Sequence, residues 1–102
     1  MRQAAEDLIA FAKGRDENAV RDDRMLLYAL VRGLEVLGEA ANGISEAMKA
    51  EHPEVPWRLI ISTRNRLIHG YFDVDPQIVW NTVSQEIPAL LEQLRAIPEP
   101  SS

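Results

Sequence analysis

Between Arg24 and Ala50, apolar residues return every three or four positions, with Leu30, Leu34, Leu37, Ala41, Ile44 and Met48 in one stripe. Leu27, Ala29, Val31, Val36 and Ala40 add apolar surface on other faces. Only a narrow polar strip remains: Arg32, Glu35, Glu39, Asn42 and Glu46. A helix that is apolar around most of its circumference must be covered on more than one side. Gly33, Gly38 and Gly43 each weaken such a helix by roughly 1 kcal/mol relative to alanine. Close approach by neighbouring helices is the expected compensation.

The rest of the chain arranges itself around this element. A first helix is predicted over about Arg2 to Lys13, with Ala5, Leu8, Ile9 and Ala12 on one stripe and Gly14 as its stop. The charged stretch Arg15 to Asp23 reads as a loop, with the next helix beginning at Asp22 or Asp23 and running unbroken to Ala50. His52-Pro53-Glu54-Val55-Pro56 ends it, because each proline disfavours helix in the residue before it. A third helix runs from Pro56 or Trp57 to His69, with Gly70 as terminator. Asp75-Pro76 pairs a cap with a first-turn proline for a fourth helix. That helix carries Val79, Val83, Ile87, Leu90, Leu91 and Leu94 at core spacing and is bent at Pro88. The expectation is an all-α, compact four-helix bundle forming one domain over residues 1–97, with a frayed tail at 98–102.

Composition narrows the chemistry. The 102 residues include no cysteine, which removes disulfides, thiolate zinc sites and cysteine nucleophiles together. Two histidines argue against a dedicated transition-metal site. The start is too polar for a signal peptide and no apolar run could span a bilayer, so a soluble cytoplasmic protein is expected. A small domain exposes much of its surface and gains from self-association. The net charge of −5 argues, as an average, against a protein coated in positive charge. That average hides an island. Residues 56–72 hold Arg58, Arg64 and Arg66 and no acid, so this segment carries +3 and the remaining eighty-five residues −8.

The island could be no more than a helix end using cations to complement its dipole. Helical geometry suggests more. Around the third helix, Trp57, Ile60, Ile61, Leu67 and Ile68 all fall within about 60° of Arg64. Arg64 therefore lies in the middle of the apolar face, where arginine needs an acceptor. Glu35 or Glu39 could supply it, or an anionic ligand could; the two glutamates could equally be a solvated stripe. Arg58, Ser62, Asn65, Arg66 and His69 share the polar arc, with Asn65 and His69 one turn apart. His69 lies about 140° from Arg64. The two could converge if the helix turns at Gly70, or if a second subunit supplies the missing half. A twofold axis near this segment would gather two copies of Arg64, His69 and Tyr71 in one cleft. Trp57 and Trp80, on apolar faces, read as core residues.

Arg64-Asn65-Arg66-Leu67-Ile68-His69-Gly70-Tyr71 reads as R-x4-H-x-Y and resembles the signature of HepT-like toxins of the HEPN superfamily of helical ribonucleases. The surrounding residues extend the resemblance. Leu34-Glu35-Val36-Leu37-Gly38-Glu39-Ala40-Ala41 is similar to the family's L-E-V-I-G-E-A-A helix. His52-Pro53-Glu54-Val55-Pro56-Trp57-Arg58 is similar to its H-P-E-I-P-W-R linker. Tyr71-Phe72-Asp73-Val74-Asp75, Val79-Trp80 and Ile87-Pro88 continue the pattern in order, from about Leu8 to Leu94. Family members usually carry further helical residues ahead of Met1, so a short first helix is expected.

The resemblance implies a dimeric, metal-independent ribonuclease with two motif copies facing across the interface and no cofactor. Arg64 would hold the phosphate and stabilise the transition state, and His69 would be the acid/base. Asn65 would orient His69 or the phosphate, with Arg58 and Arg66 on neighbouring phosphates. Tyr71 has two readings: a ring packed beside Phe72, or the family's position for AMP modification by a partner, a minimal nucleotidyltransferase antitoxin. From another class, the chain could be a non-catalytic helical binding module serving that nucleotidyltransferase.

Overall fold

The computed structural model describes residues 1–69 and 75–97, the side chains of residues 66–69 excepted. The described residues form helices throughout: α1 (Arg2–Ala12), α2 (Glu17–Asp22), α3 (Arg24–Asn42), α4 (Glu46–Glu51), α5 (Trp57–His69), α6 (Pro76–Asn81), a π-helical turn (Thr82–Glu86) and α7 (Ile87–Arg95). No strand occurs among them. The Cα radius of gyration, 13.5 Å, is that of a packed chain of this length. None of these helices is long and apolar enough to cross a membrane.

The elements differ from the four expected: the predicted second and fourth helices are each divided, and a short extra helix, α2, precedes α3. The charged stretch after Gly14 is not all loop. Asp16 accepts a hydrogen bond from Ala19 N at 2.9 Å and starts α2, which is anchored by fully buried Val20. Asp23 then caps α3, accepting from Met25 N and Leu26 N at 3.0 and 3.2 Å. The long helix does not run unbroken to Ala50. It stops at Asn42 with Gly43 as its cap, and Ser45 begins α4 by accepting from Met48 N at 3.1 Å. As a result Ile44 and Met48 are half-buried, whereas Leu30, Leu34, Leu37 and Ala41 are buried.

Pro88 leaves its mark one turn earlier than a simple bend. It has no N–H, and in α geometry its ring would meet the carbonyl four residues back. The backbone widens ahead of it: Ile87 N–H donates to Thr82 O, five residues back, making the π turn. Beyond it, Ile87, Leu90, Leu91 and Leu94 join the core as spaced. Gly14 ends α1 as expected, with φ +73 in the left-handed region.

The core lies where α1, α3, α5 and α7 meet, and it unites Leu8, Leu30, Leu34, Leu37, Ile60, Val83 and the apolar side of α7. Arg2 binds the two ends together, donating to the carbonyls of Leu94, Arg95 and Ile97 at 3.3, 3.3 and 2.7 Å. Two glycines of α3 mark close approach. A methyl on Gly33 would meet Leu8 Cδ2 at 2.6 Å, and one on Gly38 would overlap Arg64 Cβ. Gly43 is different: a methyl there would meet only ordinary contacts, with Ala40 O at 3.5 Å nearest, and it serves as the helix stop. α3 is thus covered on its α1 and α5 sides, while Met25, Tyr28 and Val36 remain exposed on a third.

Candidate active site

The linker ahead of α5 is held firmly. Val55 is buried, Trp57 Nε1 donates to His52 O at 2.9 Å, and Gln93 Nε2 reaches from α7 to Glu54 O at 2.8 Å. His52 Nδ1 lies 3.3 Å from Glu54 Oε1. Trp57 and Trp80 are both partly buried against the core, so the reading of the tryptophans as packing residues agrees with their positions. From this anchor α5 runs along α3, its most extensive helix–helix contact.

Arg64 sits at the closest point of that contact. With no side chain on Gly38, α5 approaches until a built methyl there would overlap Arg64 Cβ, stand 2.8 Å from its Cγ and 3.1 Å from Ile60 O. The arginine stem is therefore pressed onto α3, as its place on the apolar face required, and the residue is half-buried. Its acceptor is not a glutamate. Nη1 donates to Asn65 Oδ1 at 3.0 Å, a neighbour on the polar arc. Nε is enclosed and has no acceptor; with Ser84 Oγ it is one of two such side-chain atoms among the described residues. Only one of five guanidinium N–H donors is thus engaged among those residues.

The carboxylates expected near Arg64 are placed otherwise. Glu35 Oε2 pairs with Arg32 Nη1 at 3.4 Å along α3 itself, and Glu39 is exposed. Both flank Gly38, at about 60° and 100° around the helix. Glu39 is thus solvated, whereas Glu35 is half-buried. Arg58 is exposed, and of the described arginines it alone has no hydrogen bond or ion pair among the described residues. Asn65, read as orienting His69 or the phosphate, accepts from Arg64 Nη1.

The backbone of α5 continues through His69, so the helix does not turn before that residue, and positions 64 and 69 stay about 140° apart around it. The side chains of Arg66 and His69 lie outside the described residues, as do Gly70, Tyr71, Phe72 and the 98–102 tail. Among the described residues no group of three or more histidines and carboxylates is placed to hold a metal ion.

A groove that the sequence did not reveal opens beside the motif. Its walls are α4 and α5; Glu46, Lys49, Arg58, Ser62 and Asn65 line it above a floor of Ala50, Trp57 and Ile61. The α4 that lines it is a separate helix from α3 because of the break at Gly43. Ser45 after a helical glycine was the signal for that break.

The HepT-like family model, described as "Ribonuclease HepT-like", matches residues 1–97. "Probable ribonuclease HepT" of Thermococcus cleftensis is 43% identical over 72% of this chain and 69% of its own length. "Putative RNase TTE0752" of Caldanaerobacter subterraneus is 39% identical over 93% of this chain and 85% of its own. "Putative RNase MJ1380" of Methanocaldococcus jannaschii is 34% identical over 93% and 87%. No solved structure gives a significant match. With a family match across nearly its whole length and relatives of this identity, the chain belongs to the HepT-like family of ribonucleases.

Proposed function

We propose that this chain is a metal-independent endoribonuclease toxin whose cleavage site is completed by a second copy of the chain. The observation that carries the reading is Arg64: it is fixed against Gly38, yet its Nε–H lacks an acceptor. A positioned guanidinium with unused donors suits a phosphodiester whose transition state gathers negative charge. The 2′-hydroxyl attacks the adjacent phosphorus and the 5′-oxygen leaves, which needs one proton removed and one supplied. His69 moves those protons, since imidazole titrates near neutral pH. The products are a 2′,3′-cyclic phosphate and a 5′-hydroxyl. Asn65 holds Arg64 in place, and Arg58 and Arg66 take neighbouring phosphates.

Two observations support a composite site. Positions 64 and 69 face different sides of one continuous helix. The exposed Met25, Tyr28 and Val36 lie on α3 beside both Arg32 and Glu39, and a strip carrying both signs can pair with its own copy across a twofold axis. In this reading the partner antitoxin, a minimal nucleotidyltransferase, adds AMP to Tyr71. A bulky phosphate-linked group two residues from His69 would fill the cleft and repel RNA.

The direct test is cleavage of a defined RNA in EDTA by the wild type and His69→Ala, with the product ends identified. Cyclic-phosphate ends from the wild type alone are expected. Absence of cleavage by both would leave the non-catalytic binding module in place of the enzyme. Incubation with the nucleotidyltransferase and ATP should raise the intact mass by AMP units, and Tyr71→Phe should not gain them.

A further inference from the structure

We propose that the α4–α5 groove is a binding track for the single-stranded RNA backbone, leading away from the cleavage site, with Lys49 and Arg58 as its phosphate-binding cations. The inference rests on the ribonuclease reading for its substrate and adds a place where that substrate lies. Three independent features converge on it.

The first is the row of side chains. Arg58, Ser62 and Asn65 are spaced i, i+4 and i+7, so they line one wall of the groove over about 10 Å along the helix axis. That length matches a nucleotide or two of extended strand, and its far end is Asn65, which is bonded directly to Arg64. A strand held at Arg64 therefore has a continuous polar path to Arg58.

The second is the state of the cations. Every other described arginine has an acceptor: Arg15, Arg21, Arg32 and Arg95 are held by carboxylates, Arg2 by carbonyls, Arg24 by Tyr28 and Arg64 by Asn65. Arg58 has none among the described residues, and it stands on the wall of the groove. Across from it, the Lys49 side chain is 13% exposed and lies 3.4 Å from Glu46, a carboxylate on the same groove whose own side chain is 93% exposed and free to swing into solvent. An ion pair with so solvated a partner is weak, so a phosphate can take the ammonium from Glu46.

The third is the floor. Ala50, Trp57 and Ile61 give an apolar base between the polar rims. This is the arrangement a nucleotide needs, with charge for the phosphate and apolar surface for the ribose and base. Since Trp57 is fixed by its bond to His52 O, the floor is rigid before RNA arrives.

The test measures binding of a labelled dodecamer lacking 2′-hydroxyls, which cannot be cleaved, at several salt concentrations. Arg58→Gln and Lys49→Gln are each expected to weaken binding about tenfold. Each should lower the slope of log affinity against log salt by about 0.7, the value for one lost phosphate contact on a single strand. Lys13→Gln, an exposed cation outside the groove, should change neither. In cleavage, both groove variants should raise KM for a ribo-dodecamer more than for a dinucleotide. Wild-type affinity and slope in the groove variants, an equal loss in Lys13→Gln, or no binding by the wild type would overturn the proposal. Because the binding assay needs no chemistry, a wild type that binds but does not cut would refute the ribonuclease reading and leave the groove standing.

Discussion

A methyl group added at Gly38 should separate stability from function in a way that few other substitutions here would. Built on the backbone, it overlaps Arg64 Cβ and stands 2.8 Å from Arg64 Cγ and 3.1 Å from Ile60 O. Two of these three obstacles cannot swing aside, since one is a Cβ and the other a backbone carbonyl, so α5 itself must move. Overpacking of this kind costs about 1–3 kcal/mol. Replacing a helical glycine by alanine returns about 1 kcal/mol. Gly38→Ala should therefore lose up to about 2 kcal/mol, or as much as roughly 15 °C in Tm for a domain of this size. The loss of cleavage should be larger, because the displaced residue is Arg64 and a shift of about 1 Å costs on the order of a hundredfold in rate. Gly43→Ala is the control. Its nearest atoms are Ala40 O and Glu39 O at 3.5 and 3.8 Å, and Gly43 has φ −81, so alanine fits and should add about 0.4–1 kcal/mol. Thermal melts at fixed protein concentration and initial cleavage rates read both quantities. A Gly38→Ala protein with wild-type Tm and rate would show that α5 is not pinned at this point, and the account of Arg64 would fail with it.

Two further outcomes follow from the contacts. Trp57→Phe keeps most of the ring but loses the 2.9 Å bond to His52 O, so the urea midpoint should fall by the equivalent of about 1 kcal/mol; an unchanged midpoint would mean that the linker is not held by this bond. Asp23 is kept below its ordinary value of 3.8 by the hydrogen bond from Arg15 first, then by the amides of Leu26 and Met25. Its ionised form thus stabilises the fold above the unfolded-state value and stops doing so as pH falls through the lower folded one. The Tm gap between wild type and Asp23→Asn should narrow as pH is lowered from neutrality to about 3, and a gap that widens would contradict the assignment.

Much of this was legible in the residues, and what was missed has a physical cause. Helical spacing located the core of α3 and α7, because burial obeys the same periodicity that apolar residues display. It placed Arg64 on the apolar face and gave Gly33 and Gly38 a packing role. It did not divide the long helix, because Ile44 and Met48 continue the stripe across Gly43; the stop and the Ser45 cap compete with periodicity there, and local backbone chemistry wins. Asp16 was likewise a cap hidden among charges, with only Ala19 and Val20 as apolar residues to disclose α2. The acceptor for Arg64 could not be read from a wheel, which gives directions on one helix but not the reach of a side chain to its neighbour Asn65. The groove escaped along with the break: it lies between α5 and α4, and α4 was not separated from α3 by the spacing.

The composite site is tested most directly by mixing two inactive proteins. Arg64→Ala and His69→Ala should each be inactive alone. When the two are co-expressed or refolded together, half of the dimers carry one of each chain, and each such dimer retains one Arg64 and one His69 on opposite copies. Cleavage should return to about a quarter of the wild-type rate. A mixture as inactive as its components, with subunit exchange verified by mass, would place both residues of a working site on the same chain and contradict the account.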